Sequence, residues 1–212
     1  MKNSTRRLAL RQMLLFTVGG SILLDSCKNG GNHATFTHNP LQQRHIPAGT
    51  ISPAADGVIV GMPKIRSEFK NGQFCCQEIA LQPKYAGPPP HVHKELDEIM
   101  YVIEGTASVM VGDTVTEVNA GDYHIPPHGI VHTFWHSGDI PVRFIDLYPN
   151  QDFVSFFEEF ARIANKFKSK GLAINSSEGE KALNDLNKKF GVEIFIEKFP
   201  PLLQKYGLKT ST

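Results

Sequence analysis

Four side chains near the middle of this chain have the types and spacing to hold one metal ion. His91 and His93 stand two residues apart, Glu98 follows five residues later, and His132 comes from a separate stretch. Three imidazoles and a carboxylate suit divalent first-row ions such as iron, manganese, nickel, copper or zinc. In a β-strand the side chains at i and i+2 share a face, so His91 and His93 point the same way. Glu98 falls out of that parity, which requires a turn between Lys94 and Asp97 that brings Glu98 back from the next strand. His132 must then arrive on a third segment. The expectation is one metal centre built on sheet, with open coordination positions for a substrate and with Glu98 as metal ligand or catalytic proton acceptor.

The surrounding residues read as short strands separated by turns. Asn71-Gly72 lies between two apolar-containing runs, the strongest short hairpin signal. Ile99–Ile103 is β-branched and aromatic and stops before Gly105. Ala107–Val111 and Thr114–Val118 flank Gly112-Asp113, a second hairpin, and Val131–His136 and Pro141–Tyr148 supply further strands. Pro126-Pro127 keeps that stretch out of a central strand. Short strands at this spacing predict an all-β sandwich or barrel. Met100, Val102 and Phe134 share strand parity with the ligands and are expected to line a substrate pocket, with His136 facing the same interior. Tyr101 and Trp135 have the opposite parity and read as packing residues.

The two histidine stretches resemble the paired signature motifs of the cupin family. The first reads G-x(3)-H-x-H-x(4)-E-x(6)-G from Gly87 to Gly105, and the second reads G-x(5)-P-x-G-x(2)-H-x(3)-H from Gly121 to His136. Gly87 departs from the family spacing, since Pro88, Pro89 and Pro90 fill a shortened gap, and His136 stands where Asn is usual. His91, His93, Glu98, Gly105, Gly121, Pro127, Gly129 and His132 fit. The resemblance covers about residues 57–149 and implies an antiparallel jelly-roll β-barrel with the metal inside. The H-x-H-x(4)-E spacing is similar to that of the quercetin-dioxygenase-like branch, which implies a dioxygenase acting on a small cyclic or enolisable organic substrate. A non-catalytic metal- or small-molecule-binding cupin of the cell envelope is the alternative. No cluster of Arg or Lys beside the motifs would hold a sugar phosphate.

The whole chain of 212 residues carries 41% hydrophobic residues and a net charge of +1. That is enough apolar material for a real core, and the charge balance argues against a nucleic-acid partner. Residues 1–26 read as a signal peptide. Arg6, Arg7 and Arg11 form its basic start, Met13–Leu24 its apolar stretch, too short to span a bilayer, and Leu24-Asp25-Ser26-Cys27 resembles a bacterial lipoprotein cleavage box. Cys27 is then the lipidation site and the membrane a partner through that anchor. Thr5–Leu10 also looks like a twin-arginine signal, and export by the Sec or the twin-arginine route stays open. The predicted location is the cell envelope, facing the periplasm or exterior, with residues 27–56 as a linker.

Three further regions have simpler expectations. Cys75 and Cys76 are adjacent in a strand and point to opposite faces, so no disulfide is expected between them, one thiol packing in the core and the other near the surface. Residues 150–212 read as a mainly helical extension. Phe153, Phe156, Phe157, Phe160 and Phe167 recur at helical spacing after Asp152, which can cap the helix. This stripe is expected to pack on an outer sheet face or against a homodimer partner rather than to close the barrel mouth. Ser177 and Glu180 have capping-box spacing, Gly191 can end that helix, Val192–Ile196 reads as a strand, and Pro200-Pro201 opens a last helix. His124 and His128 read as loop histidines, and His33, His38 and His45 as solvated linker residues.

Overall fold

The computed structural model describes residues 43–49, 60–67 and 74–210, all within one compact unit, His38–Thr212. Among the described residues ten strands appear in chain order: β1 Val60–Ile65, β2 Phe74–Leu81, β3 His91–His93, β4 Ile99–Glu104, β5 Thr106–Val111, β6 Thr114–Asn119, β7 Tyr123–His124, β8 His132–Trp135, β9 Val142–Pro149 and β10 Val192–Ile194. Helices α1 Val154–Ser169, α2 Ser177–Phe190 and α3 Phe199–Tyr206 follow or flank the last strand. No helix of the described residues is long and apolar enough to cross a membrane. The signal sequence, Cys27, the Asn71-Gly72 turn, His33 and His38 lie outside the described residues, while β1 and β2 on either side of that turn pair antiparallel.

The strands form two five-stranded antiparallel sheets, ordered β1-β2-β9-β4-β7 and β10-β3-β8-β5-β6. Among the described strands no ladder joins one sheet to the other, so the expected closed barrel is instead a pair of facing sheets. Gly105 shows why. With φ at +77° it steps the chain from β4 in the first sheet to β5 in the second, and a Cβ there would meet the Pro141 carbonyl at 2.8 Å. Only glycine takes that corner without strain.

The core lies between the sheets. Ile79, Leu81, Met100, Val102, Val142 and Phe144 face inward from the first sheet, and Ala107, Val109, Val118 and Phe134 from the second. Strand β9 shows the alternation that produces this, with every second residue from Val142 to Tyr148 buried. On the outer face of the first sheet, Glu78 is ion-paired with Lys64 at 3.0 Å and Arg143 at 2.6 Å. Cys76 lies on that same face and is still buried, so the expectation of one surface thiol fails. Both thiols are free, and burial pushes the Cys75 pKa up to about 11.

The C-terminal extension is part of this layout. Strand β10 adds to β3 with Val192 opposite His93 and Ile194 opposite His91. Helix α1 has Phe153 at its N-cap with no side-chain cap, and Asp152 instead accepts a hydrogen bond from Ser155 at 2.7 Å. Helix α2 is capped one residue earlier than expected, by Ser176, whose hydroxyl accepts from the Gly179 amide at 3.3 Å. The left-handed Gly191 ends α2 as predicted, with φ at +68°.

Candidate metal centre

Three local devices deliver the four ligands. His91 and His93 are the two buried ends of the three-residue strand β3. The β3–β8 ladder sets His132 directly opposite His91. Glu98 precedes β4, and its amide donates to the Pro126 carbonyl at 3.3 Å. Gly129, at φ +74°, turns so that its amide donates to the His93 carbonyl at 2.8 Å, tying the loop before β8 to β3. Gly87 lies against β8, where a Cβ would sit 2.5 Å from the Phe134 carbonyl oxygen. The shortened gap before His91 thus begins at a point where only hydrogen fits.

The four predicted ligands come together. One donor atom from each of His91, His93, Glu98 and His132 lies within 4.8 Å of the others. Ligand atoms about 2.1 Å from a shared ion lie roughly 3–4.2 Å apart, so modest side-chain adjustment closes this set on a cation. Two hydrogen bonds define the tautomers. His91 Nδ1 sits 2.9 Å from the Pro89 carbonyl and His132 Nδ1 3.0 Å from the Ile130 carbonyl. Each Nδ1–H is spent on backbone, which leaves Nε2 with its lone pair free for a metal. His132 Nε2 is buried and has no hydrogen-bond partner, its nearest carboxylate oxygen, Glu98 Oε2, lying 3.5 Å away. That distance is too long for a good hydrogen bond, and an ion between the two would satisfy both. The residues fit a divalent metal.

The electrostatics favour the ligand form of His91 and Glu98. Burial, followed by the charge of His132, lowers the His91 pKa to about 4, so this imidazole is neutral across the physiological range. Burial opposes ionisation of Glu98, but the contacts to His132 and His93 and their charges hold its carboxyl well below the usual range. Burial also opposes charge on His132, yet Glu98 and the Ile130 carbonyl raise its pKa above the ordinary histidine value. A proton on His132 is therefore the main competitor of a metal. Affinity should fall first as pH drops through a window beginning above about 6.5, with a second proton on His91 felt only near pH 4. Metal titrations from about pH 8 to pH 4 check this, and an affinity flat across that range would contradict it.

The other predicted site residues take different places. Met100, Val102 and Phe134 face the interior as expected, but as members of the packed core. His136 stands apart from the cluster. Its ring nitrogens meet backbone oxygens, Nδ1 that of Thr106 at 2.9 Å and Nε2 that of Ile140, so it braces a turn rather than lining the ligand side. Tyr101 and Trp135 are packing residues, in tilted ring contact with Tyr123 and Tyr206 at centroid distances of 4.6 and 4.4 Å. His128 is an exposed loop residue pinned to Asp97, which accepts from both its ring and its amide. Its neighbour His124 is not a loop residue; it pairs with Met100 in β7.

Phe153 departs from the expectation for the phenylalanine stripe. Phe153 does not lie on an outer sheet face. Its ring meets His93 edge-on with centroids 4.8 Å apart, and it also contacts Tyr148 at 5.2 Å and stacks on Phe156 at 4.7 Å. The start of α1 therefore closes one side of the ligand cluster. A separate surface cavity of about 290 Å³ between α1 and α2, with Phe167 and Leu172 among its walls, shares no residue with the histidines.

Residues 77–148 match the family model of the Cupin domain. That match, with the two antiparallel sheets and the converging ligand set, supports the cupin superfamily. Among curated proteins, germin-like protein 9-3 of Oryza sativa subsp. japonica is 29% identical over 119 residues, covering 52% of this chain and 54% of that protein. Germin-like protein subfamily T member 2 of Arabidopsis thaliana is 37% identical over 70 residues, covering 30% and 31%. The chain thus spans about half the length of the first relative and about a third of the second. Among solved structures, the TT1209 protein from Thermus thermophilus has a TM-score of 0.42 and 22% identity, covering 47% of this chain and 89% of that one. The polyketide cyclase RemF from Streptomyces resistomycificus has a TM-score of 0.42 and 23% identity, covering 53% and 81%.

Proposed function

We propose that this chain is a cupin that binds one divalent transition metal through His91, His93, Glu98 and His132 and acts as a dioxygenase on a small cyclic or enolisable organic substrate. The observation that supports it is the convergence of four buried ligands with His132 Nε2 left unpartnered. A redox-active ion held there would supply open coordination positions and electron chemistry toward dioxygen. The chain's own residues do the rest. The carbonyls of Pro89 and Ile130 orient two imidazoles, Met100 and Phe134 exclude water, and Glu98 can take up a proton from an enolisable substrate at a carboxylate oxygen. Dioxygen uptake by the metal-loaded protein, with a panel of flavonols, catechols and β-diketones, tests the reading. Substrate-dependent uptake that disappears in Glu98→Gln is expected, and no uptake with any member contradicts catalysis.

One observation favours the second reading, a non-catalytic metal- or small-molecule-binding cupin. No ligand residue is more than 8% exposed, and Phe153 closes over His93. Under that reading the same panel gives metal-dependent binding without oxygen uptake. We infer for either reading a lipid-anchored protein of the cell envelope, because Cys27 follows a basic and then apolar start. Cys27→Ser should move the protein from the membrane to the soluble fraction or leave it unprocessed. A wild-type chain that is soluble and retains residues 1–26 would contradict the anchor.

A further inference from the structure

Among the described residues, four buried side-chain atoms lack a hydrogen-bond partner: His93 Nδ1, His124 Nδ1, His132 Nε2 and Asp146 Oδ1. A metal accounts for His132 Nε2. Two of the others lie in one row across the first sheet. Gln77 pairs with Asp146, Asp146 with Met100, and Met100 with His124. Directly opposed residues on neighbouring strands put their side chains on the same face. Met100 belongs to the core between the sheets, so the whole row faces the interior. Glu98 comes two residues before Met100, which places this polar row beside the ligand cluster.

The hydrogen bonds give the row a direction. Gln77 Nε2 donates to the Tyr148 oxygen at 2.7 Å, and the Tyr148 hydroxyl donates to Asp146 Oδ2 at 3.0 Å. Oδ2 is therefore committed as an acceptor, and Oδ1 is the free end of the carboxyl. Asp146 is buried with no cation beside it, and burial is the main reason that its pKa stands well above the carboxylate range. A neutral carboxyl that accepts at Oδ2 carries its proton on Oδ1. The unpartnered atom is thus a donor, and a neutral carboxyl in an apolar interior is a strong donor to developing or fixed negative charge on oxygen.

We propose that Asp146 Oδ1 donates the hydrogen bond that binds an anionic oxygen, carboxylate or enolate, of an organic ligand at the neighbouring metal centre. This rests on the metal-binding reading above and adds to it a recognition residue and a ligand class. Gln77 and Tyr148 orient the donor.

The test uses full-length protein loaded with cobalt(II), its metal content verified, and reads the visible spectrum on titration with acetate and with imidazole. Acetate presents an anionic oxygen, whereas imidazole is a neutral ligand that needs no donor. Asp146→Leu should weaken acetate binding about tenfold or more and leave imidazole within about twofold. Asp146→Asn, whose amide N–H can replace the carboxyl donor, should stay within about threefold of wild type for both. Infrared difference spectra supply a readout that does not depend on the leucine variant folding. Acetate should shift a neutral-carboxyl carbonyl band in the wild type that Asp146→Asn lacks. Undiminished acetate affinity in Asp146→Leu, equal losses for acetate and imidazole, no acetate binding by cobalt-loaded wild type, or absence of that band would each overturn the proposal and leave the metal centre standing. Failure of the wild type to take up cobalt would overturn the metal reading itself, and the proposal with it.

Discussion

His132→Ala should empty the metal centre while leaving the β-sheet spectrum intact, and His91→Ala should do the same. Loss of an outer partner of a metal ligand already costs about 10–100-fold in affinity, and removing an imidazole ligand should cost more than that. Stability gives a second, independent signature. Added metal should stabilise the wild type against thermal unfolding and not the variant. Equal metal content in wild type and both variants, by elemental analysis after dialysis, would remove the basis for the assignment.

Phe153→Ala should destabilise the fold and loosen the centre at the same time. Phe153 is 4% exposed and touches His93, Tyr148, Phe156 and Phe157. Truncating a buried phenylalanine costs about 3–5 kcal/mol, which in a chain of this size lowers Tm by roughly 10 °C. Because the ring covers His93, a chelator should also strip the metal about tenfold faster, and Phe153→Leu should restore most of both effects. Thermal unfolding and the rate of metal transfer to a chelator measure the two together. A destabilised variant with unchanged transfer rate would show that Phe153 packs without guarding the ligands.

The ligand set was legible because chemistry and periodicity coincide there. Two-residue spacing put His91 and His93 on one face, and parity demanded a change of direction before Glu98; the chain bends at Lys94 and Glu95, with Glu98 just before β4 rather than in it. Hairpin and glycine signals placed β4 to β6 within a residue of their observed bounds. That the sheets do not close into a barrel was not legible, because alternation assigns the faces of a strand and not which strand edges pair. Nor was the place of the helical extension: a phenylalanine stripe declares an apolar face but not what that face meets. His136 shares parity with His132, yet the strand ends at Trp135, and beyond that point alternation predicts nothing. Asp146 could have been found. It stands in phase with Val142, Phe144 and Tyr148, and an acid on the buried phase of a strand is a signal in its own right.

The most direct measurement is elemental analysis of the protein purified from its native source, without added metal. The account predicts roughly one divalent first-row ion per chain, released on acidification as His132 gains its proton. Protein that folds, carries no such ion, and takes none up from a stoichiometric supply near neutral pH would contradict it.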